Sequence, residues 1–282
     1  MAREEKLRSF SLTGLFLLSI LLSLALPAGT VSASNETTTG TITGTETWAG
    51  VHTLTGDVTI APGAKLIINP GATIEFPNGT HLDVRGSLCA GVSSCGASSN
   101  AGPAMRITLR WSEPTNSSAI GECYGMSSGN QEIWIDDPSC SEGVLMRSSI
   151  DLSETGLRYV TFDSAWGIPQ YVSAVGEFRY GALVLDGASP TLTELSFNQI
   201  NTSSVLTTNL AQPTFNGGEF EVGVDASTSI VGAALQIYSS GSSVSPFALS
   251  DISLTGTNNG CGNRDGGRHT IWAEDSFIEI DN

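Results

Sequence analysis

The feature of this 282-residue sequence that most restricts its fold is a repeat of eight residues in GDVTIAPGAKLIINPGATIEFPNGTHLDV, residues 56–84. Apolar residues come there in pairs spaced two apart, and the pairs begin at Val58, Leu66, Ile74 and Leu82. A spacing of two is typical of a β-strand with one buried face. Pro-Gly or Asn-Gly turns separate the pairs, because Pro fixes φ and Gly tolerates positive φ.

Two arrangements of such strands are possible, an antiparallel meander and a coil. A meander uses tight two-residue hairpin loops, whereas the corners here contain Pro and the strands are only three to five residues long. Three sides of eight residues make a coil with about 24 residues per turn. This coil puts Leu82 one strand spacing, about 4.8 Å, above Val58. The sequence therefore predicts an all-β fold, a parallel β-helix (β-solenoid) with an aliphatic interior.

The same period returns less regularly in the second half of the chain. We expect three further pairs of stacked strands there: residues 160–162 with 183–185, 195–197 with 220–222, and 252–254 with 278–280. Unequal steps are expected where loops leave the corners of the coil. Residues 112–143 interrupt the pattern altogether, and we predict a protruding inserted loop there.

The first 33 residues have the order of a secretory signal peptide. A basic start, MAREEKLR, precedes the apolar run LFLLSILLSLAL, and the small residues of VSA precede Ser34. The apolar run is shorter than the roughly 20 residues that span a bilayer, so we expect cleavage rather than an anchor helix. The mature chain then has no transmembrane segment, and we expect it to be secreted, extracellular or at the cell surface.

The remaining sequence divides into a Thr- and Gly-rich linker, residues 34–47, and the solenoid domain, residues 48–282. The last residues, SFIEIDN, stop within a turn. Because an uncapped solenoid leaves a strand edge unpaired, we expect either an interaction surface there or a fragment, with further domains beyond Asn282.

The net charge of −16 restricts the partners. Phosphate binding needs clustered Lys and Arg, and Lys65 is the only lysine after the leader. We therefore expect no nucleic-acid partner. Polyanionic sugars would also be repelled, unless a bound cation intervened.

The five cysteines agree with export, because disulfides form readily outside the cell. Cys89 with Cys95 and Cys123 with Cys140 are the nearest pairs in sequence, although connectivity cannot be derived from sequence. Cys261 is then left over. The spacing and the lack of neighbouring histidines argue against a zinc site.

Four Asn-x-Ser/Thr sequences are candidate N-glycosylation sites, with chance occurrence in a Ser- and Thr-rich chain as the alternative. They begin at Asn35, Asn78, Asn116 and Asn201.

The phrases GDVTIAPGAKLIINPGATIEF, LDVRGSL and GALVLDGASPTLTELSFNQI resemble secreted right-handed parallel β-helix proteins of the pectin-lyase-like family. The resemblance covers most of residues 48–282 and implies right-handed coiling. Its members include polysaccharide lyases and hydrolases, adhesins and other surface proteins, so the resemblance is specific for the fold and unspecific for function.

No catalytic group of this family is recognisable. The hydrolases use paired carboxylates, but the only Asp-Asp, Asp136-Asp137, lies in the inserted loop, and the family's Gly-His-Gly and Arg-Ile-Lys are missing. The lyases use a basic residue near calcium ligands. Arg147, Arg158 and Arg179 are candidates outside any motif, and the alternation around Arg179 is too weak to show which way it points.

Other chemistry has equally little support. No Gly-x-Ser-x-Gly motif is present, and NNGCGNRDGG (residues 258–267) is one imperfect copy of a calcium repeat that works only in stacks. The aromatic residues form no regular ladder that would indicate sugar stacking. We predict no catalytic, cofactor-binding or metal-binding residue, and calcium stays possible but unsupported.

These observations favour a secreted or cell-surface scaffold without catalysis, with an adhesion, envelope or glycan-binding role. Its partner would be an extracellular glycan or another surface protein. The alternative is a polysaccharide lyase or glycoside hydrolase acting on extracellular glycans, and its only basis is analogy of fold.

Overall fold

Val58 pairs directly with Leu82, and Ile60 pairs with Val84, in parallel. Leu66 pairs with Leu88 on the next side of the coil, also in parallel. The prediction of a parallel β-solenoid is therefore confirmed.

The computed structural model describes residues 36–112, 124–126, 132–134, 141–200, 202–222, 233–241, 246–256 and 269–281. Residues Ser34–Asn282 form one compact unit. The other unit, Met1–Ala33, contains the predicted signal peptide and lies outside the described residues.

The described secondary structure consists of strands and of short 3₁₀ turns at Ser93–Cys95, Pro103–Met105 and Leu152–Glu154. In chain order the strands are β1 (Glu36–Ile42), β2 (Thr45–Trp48), β3 (Val51–Ile60), β4 (Lys65–Ile68), β5 (Thr73–Phe76), β6 (His81–Val84), β7 (Ser87–Ala90), β8 (Ile107–Trp111), β9 (Tyr124–Met126), β10 (Glu132–Trp134), β11 (Gly143–Arg147), β12 (Gly156–Arg158), β13 (Val160–Asp163), β14 (Ile168–Val172), β15 (Glu177–Asp186), β16 (Thr191–Asn198), β17 (Ser203–Thr208), β18 (Thr214–Val222), β19 (Ala233–Tyr238), β20 (Phe247–Gly256), β21 (His269–Glu274) and β22 (Ile278–Asp281).

Each turn of the coil contributes one strand segment to each of three faces. Face A takes the first halves of β1 and β3, then β5, β8, β13 and the second halves of β16, β18 and β20. Face B takes the second halves of β1 and β3, then β6, β11, β15, β17, β19 and β21. Face C takes β2, β4, β7, β12, the first halves of β16, β18 and β20, and β22.

The predicted linker contains the first turn of this coil. Strand β1 pairs with β3 and strand β2 pairs with β4, both in parallel. The predicted boundary at residue 48 is therefore corrected, because Thr- and Gly-rich segments form strands when a neighbouring turn supplies the hydrogen bonds.

The later stacking partners differ from the sequence prediction. Phe162 pairs with Leu109 and Phe197, whereas Leu183 lies on face B. The hairpin formed by β14 and β15 accounts for this difference, because it lengthens the corner between faces A and B.

The two remaining predictions join the right strands in the wrong register. Leu195 pairs with Gly218 rather than with Phe220. Ile278 pairs with Phe247, because β20 bends at Asp251 and places its two halves on different faces.

Single residues with left-handed backbone make the corner between faces C and A. Tyr159, Glu194, Gly217 and Asp251 follow one another at this corner in successive turns, with φ between 51° and 73°. Such a residue turns the chain from one face to the next within one position. As a result, β16, β18 and β20 pass through the corner as continuous strands.

Aromatic rings stack inside the coil along face A. Phe76, Trp111, Phe162, Phe197 and Phe220 follow in order, with ring centres 4.4, 6.3, 4.8 and 5.3 Å apart. All five side chains are buried. These aromatic residues therefore fill the core and offer no surface for stacking on sugar rings, and the unequal turn lengths hide their alignment in the sequence.

Cys89 and Cys95 form a disulfide, as one of the candidate pairings predicts. Both sulfur atoms lie outside the coil on face C, in a small buried cluster with Ala97. Cys123, Cys140 and Cys261 lie outside the described residues.

The disulfide leads to a prediction about stability. Cys95→Ser opens a loop with a sequence separation of 6, and loop-closure entropy predicts a loss of about 2 kcal/mol in the free energy of unfolding. Chemical denaturation of the variant and of wild type, both without reductant, measures the loss. Adding reductant to wild type should reproduce it, and unchanged stability in both experiments would contradict the prediction.

Candidate ligand-binding face

A row of hydroxyl groups runs along the outside of face A. Thr73 pairs with Thr108, Thr108 with Thr161, and Thr161 with Ser196. All four side chains are partly exposed. Because paired strands lie about 4.8 Å apart, the row offers a hydrogen-bond donor and acceptor at this interval over four turns.

A second row of polar side chains runs beside the first. Glu75, Arg110, Asp163 and Asn198 are successive register partners two residues further along each strand. Asp163 accepts hydrogen bonds from Arg110 Nε at 2.9 Å and from Asn198 Nδ2 at 2.8 Å. Glu75 accepts from the Thr53 hydroxyl at 3.1 Å. Neighbouring turns thus hold these groups in fixed positions.

Whereas the hydroxyl row of face A is partly exposed, face B is covered by a hairpin. The hairpin of β14 and β15 lies against its outer side, and Ile168 and Val172 pack there with Leu145, Val184 and Leu206. The side chains of Leu145, Val184 and Leu206 point away from the interior of the coil, and the hairpin buries them. A ligand cannot reach this part of face B.

Arg179 fastens the hairpin to face B. Its Nε donates to Tyr238 Oη at 3.0 Å, and its Nη1 donates to Glu177 at 2.6 Å. Burial raises the pKa of Tyr238 above 10.0, so the phenol stays protonated and donates to Gln236 at 3.2 Å. The side chain of Phe178 is exposed and Arg179 points towards the coil, which settles the direction that the sequence left open.

The other two candidate arginines also have structural contacts. Arg147 donates to Asp83 at 3.0 Å and lies 3.7 Å from Asp186, both on face B. Arg158 donates to the carbonyl of Ala101 at 3.0 Å. The structure brings none of the three together with another.

A buried carboxylate, which the sequence does not reveal, holds the corner between faces A and B. Glu142 is 1% exposed and lies where the inserted loop returns to the coil. Its two oxygens accept from the backbone N–H of Gly79 at 2.8 Å and of Trp166 at 3.0 Å. Its own backbone pairs with Gly167. Glu142 therefore links its own turn to the turns before and after it.

Burial raises the pKa of Glu142 from 4.5 to about 7, although the two backbone hydrogen bonds oppose the shift. A raised pKa in a carboxylic acid is common at catalytic sites. Here both oxygens are occupied and the side chain has almost no contact with solvent. The arrangement can hold the corner, but it offers a substrate no access.

One of the four candidate glycosylation sites lies among the described residues. Asn78 is exposed at the turn between β5 and β6, a position that a glycosylation site needs. Asn35, Asn116 and Asn201 lie outside the described residues, as do Asp136, Asp137 and residues 258–267.

No three His, Cys, Asp or Glu side chains in the described part of the chain come together as metal ligands. No helix in the same part is long and apolar enough to cross a membrane.

Comparisons with models of protein families, with curated proteins and with solved structures found no match to this chain.

Proposed function

We propose that this chain is a secreted or cell-surface β-helix protein of the pectin-lyase-like type, which binds an extracellular glycan on face A without catalysis. The observation that carries the proposal is the row of partly exposed hydroxyl groups of Thr73, Thr108, Thr161 and Ser196 on face A. Hydroxyl groups both donate and accept hydrogen bonds, and they therefore match the hydroxyl groups of a sugar chain.

The second row of polar side chains on face A supports binding of a glycan rather than catalysis. Asp163 already accepts from Arg110 and Asn198. A glycosidase needs one carboxyl group that donates a proton and a second that attacks or activates water. A carboxylate engaged by neighbours on its own face serves better as a fixed acceptor for sugar hydroxyls.

Blocking face A should remove binding. In a variant with Thr108→Tyr and Thr161→Tyr, we expect affinity for immobilised polysaccharides to fall by about tenfold or more, equivalent to about 1.4 kcal/mol. The matched control carries Thr191→Tyr and Thr214→Tyr, two exposed positions on face C. Equal loss in both variants, or no binding by wild type, would contradict the proposal.

An activity assay separates the scaffold from the enzyme. Wild type is incubated with neutral and anionic polysaccharides, with and without calcium, and released sugars are measured. We expect no turnover. Release of unsaturated or reducing products that depends on the protein would instead support a lyase or a hydrolase.

A further inference from the structure

Two arginines differ from the other basic residues in their electrostatic surroundings. Seven Lys and Arg side chains are described, and five of them have a carboxylate partner: Lys65, Arg85, Arg110, Arg147 and Arg179. Arg106 and Arg158 have no such partner within 4.0 Å among the described residues. In a chain with a net charge of −16, two arginines without a carboxylate partner in the described part of the chain are unexpected.

Both arginines contact the same aromatic ring. The guanidinium carbons of Arg106 and Arg158 each lie 5.2 Å from the centre of the Tyr159 ring. The two positive charges are therefore within about 10 Å of one another, which is about one Debye length at 0.1 M salt. All three side chains are partly exposed.

The surrounding backbone fixes this group. Tyr159 is one of the left-handed corner residues, with φ 51°. Arg106 Nη1 donates to the carbonyl of Glu194 at 3.1 Å, and Arg158 Nε donates to the carbonyl of Ala101 at 3.0 Å. Each guanidinium has five N–H donors, so several on each stay available after these contacts.

The carboxylate of Glu194, whose carbonyl Arg106 contacts, has a different neighbour. The Glu194 carboxylate lies against Gly217 of the following turn, where an added Cβ would be 2.7 Å from Glu194 Oε1. The corner also borders the hydroxyl row, because Arg106 and Tyr159 come two residues before Thr108 and Thr161. A ligand lying along that row would pass the two arginines.

We propose that Arg106, Tyr159 and Arg158 form an oxyanion-binding site for a sulfate or phosphate ester on the glycan bound to face A. This inference rests on the proposed function. Guanidinium groups form strong, directional hydrogen bonds with such oxyanions. A mostly neutral sugar chain with sparse anionic groups matches a hydroxyl row that has a pair of arginines beside its two middle turns.

Calorimetric titration with three probes tests the site: a sulfated oligosaccharide, the same oligosaccharide after desulfation, and inorganic sulfate. We expect wild type to bind the sulfated form most tightly, with an affinity that falls at high salt. Replacing both arginines, Arg106→Gln with Arg158→Gln, should weaken binding of the sulfated form by at least about tenfold. The affinity for the desulfated form should not change.

The control is Arg85→Gln, which removes one positive charge away from face A, between β6 and β7, that Asp83 already compensates. It should retain the preference for the sulfated form. If the control loses the preference for the sulfated oligosaccharide as fully as the double variant does, the proposed site is wrong, and the preference comes from the net charge of the protein.

The outcomes distinguish this site from the proposed function. If wild type binds both oligosaccharides equally and the double variant has no effect, the oxyanion site is wrong and glycan binding stands. If only inorganic sulfate binds, and the double variant loses it, the arginines bind anions but the glycan proposal fails. If wild type binds none of the three probes, both proposals are overturned.

Discussion

Phe162→Ala is expected to lower the free energy of unfolding by about 3–5 kcal/mol, the usual cost of removing a buried ring. Phe162 is fully buried, and its ring lies between those of Trp111 and Phe197 at 6.3 and 4.8 Å. The coil cannot close the resulting cavity, because hydrogen bonds to the turns on both sides hold β13 in place. Both stacking contacts are therefore lost together.

Thr161→Ala is the matched control, since Thr161 lies on the same strand and points to the outside of face A. Its effect should be within about 0.5 kcal/mol, as for most surface substitutions. Denaturant unfolding followed by circular dichroism measures both variants. Similar losses for the two substitutions would mean that the inside and the outside of β13 are wrongly assigned.

The stability of the protein is expected to fall between pH 4.5 and about pH 7 because of Glu142. Its pKa is raised from 4.5 to about 7 in the folded chain, so the folded state binds this proton more tightly than the unfolded state does. The contribution is fully present below pH 4.5 and is lost as the pH rises through 7. A shift of this size corresponds to about 3 kcal/mol.

Glu142→Gln isolates this effect from the other titrating groups. Glutamine has nearly the same shape and binds no proton in this range, whereas the histidines and the other carboxylates are the same in both proteins. The stability of wild type minus that of the variant should therefore decrease by about 3 kcal/mol across this range. Unfolding by denaturant at a series of pH values gives this difference, and a constant difference would show that Glu142 has an ordinary pKa.

The sequence predicts the fold from one stretch in which the sides of the coil have equal length. Between Val58 and Leu82 every corner is short, so the eight-residue period in the sequence is also the period in space. Beyond Ala90 the corners differ in length. Residues 91–106 lengthen the corner between faces C and A, and the inserted loop and the hairpin of β14 and β15 lengthen the corner between faces A and B. Apolar pairs are still recognisable there, but counting residues no longer identifies their partners.

The polar face could be predicted only in part. Alternation shows that Thr108 and Thr161 point outward, but their alignment depends on which strands are neighbours, and 53 residues separate them. Glu142 has partners 63 and 24 residues away. No local pattern in the sequence marks a carboxylate of this kind.

The sequence by itself determined that short strands would wind into a parallel coil, since side-chain alternation and turn residues act within a few positions along the chain. The tertiary structure alone decided which turns became neighbours, and with them the internal aromatic ladder, the hydroxyl row of face A and the contact of Arg106 and Arg158 with Tyr159. The physical reason is that these features are formed by residues in different turns. Their proximity depends on the summed length of every corner between them, and no single segment of the sequence contains that sum.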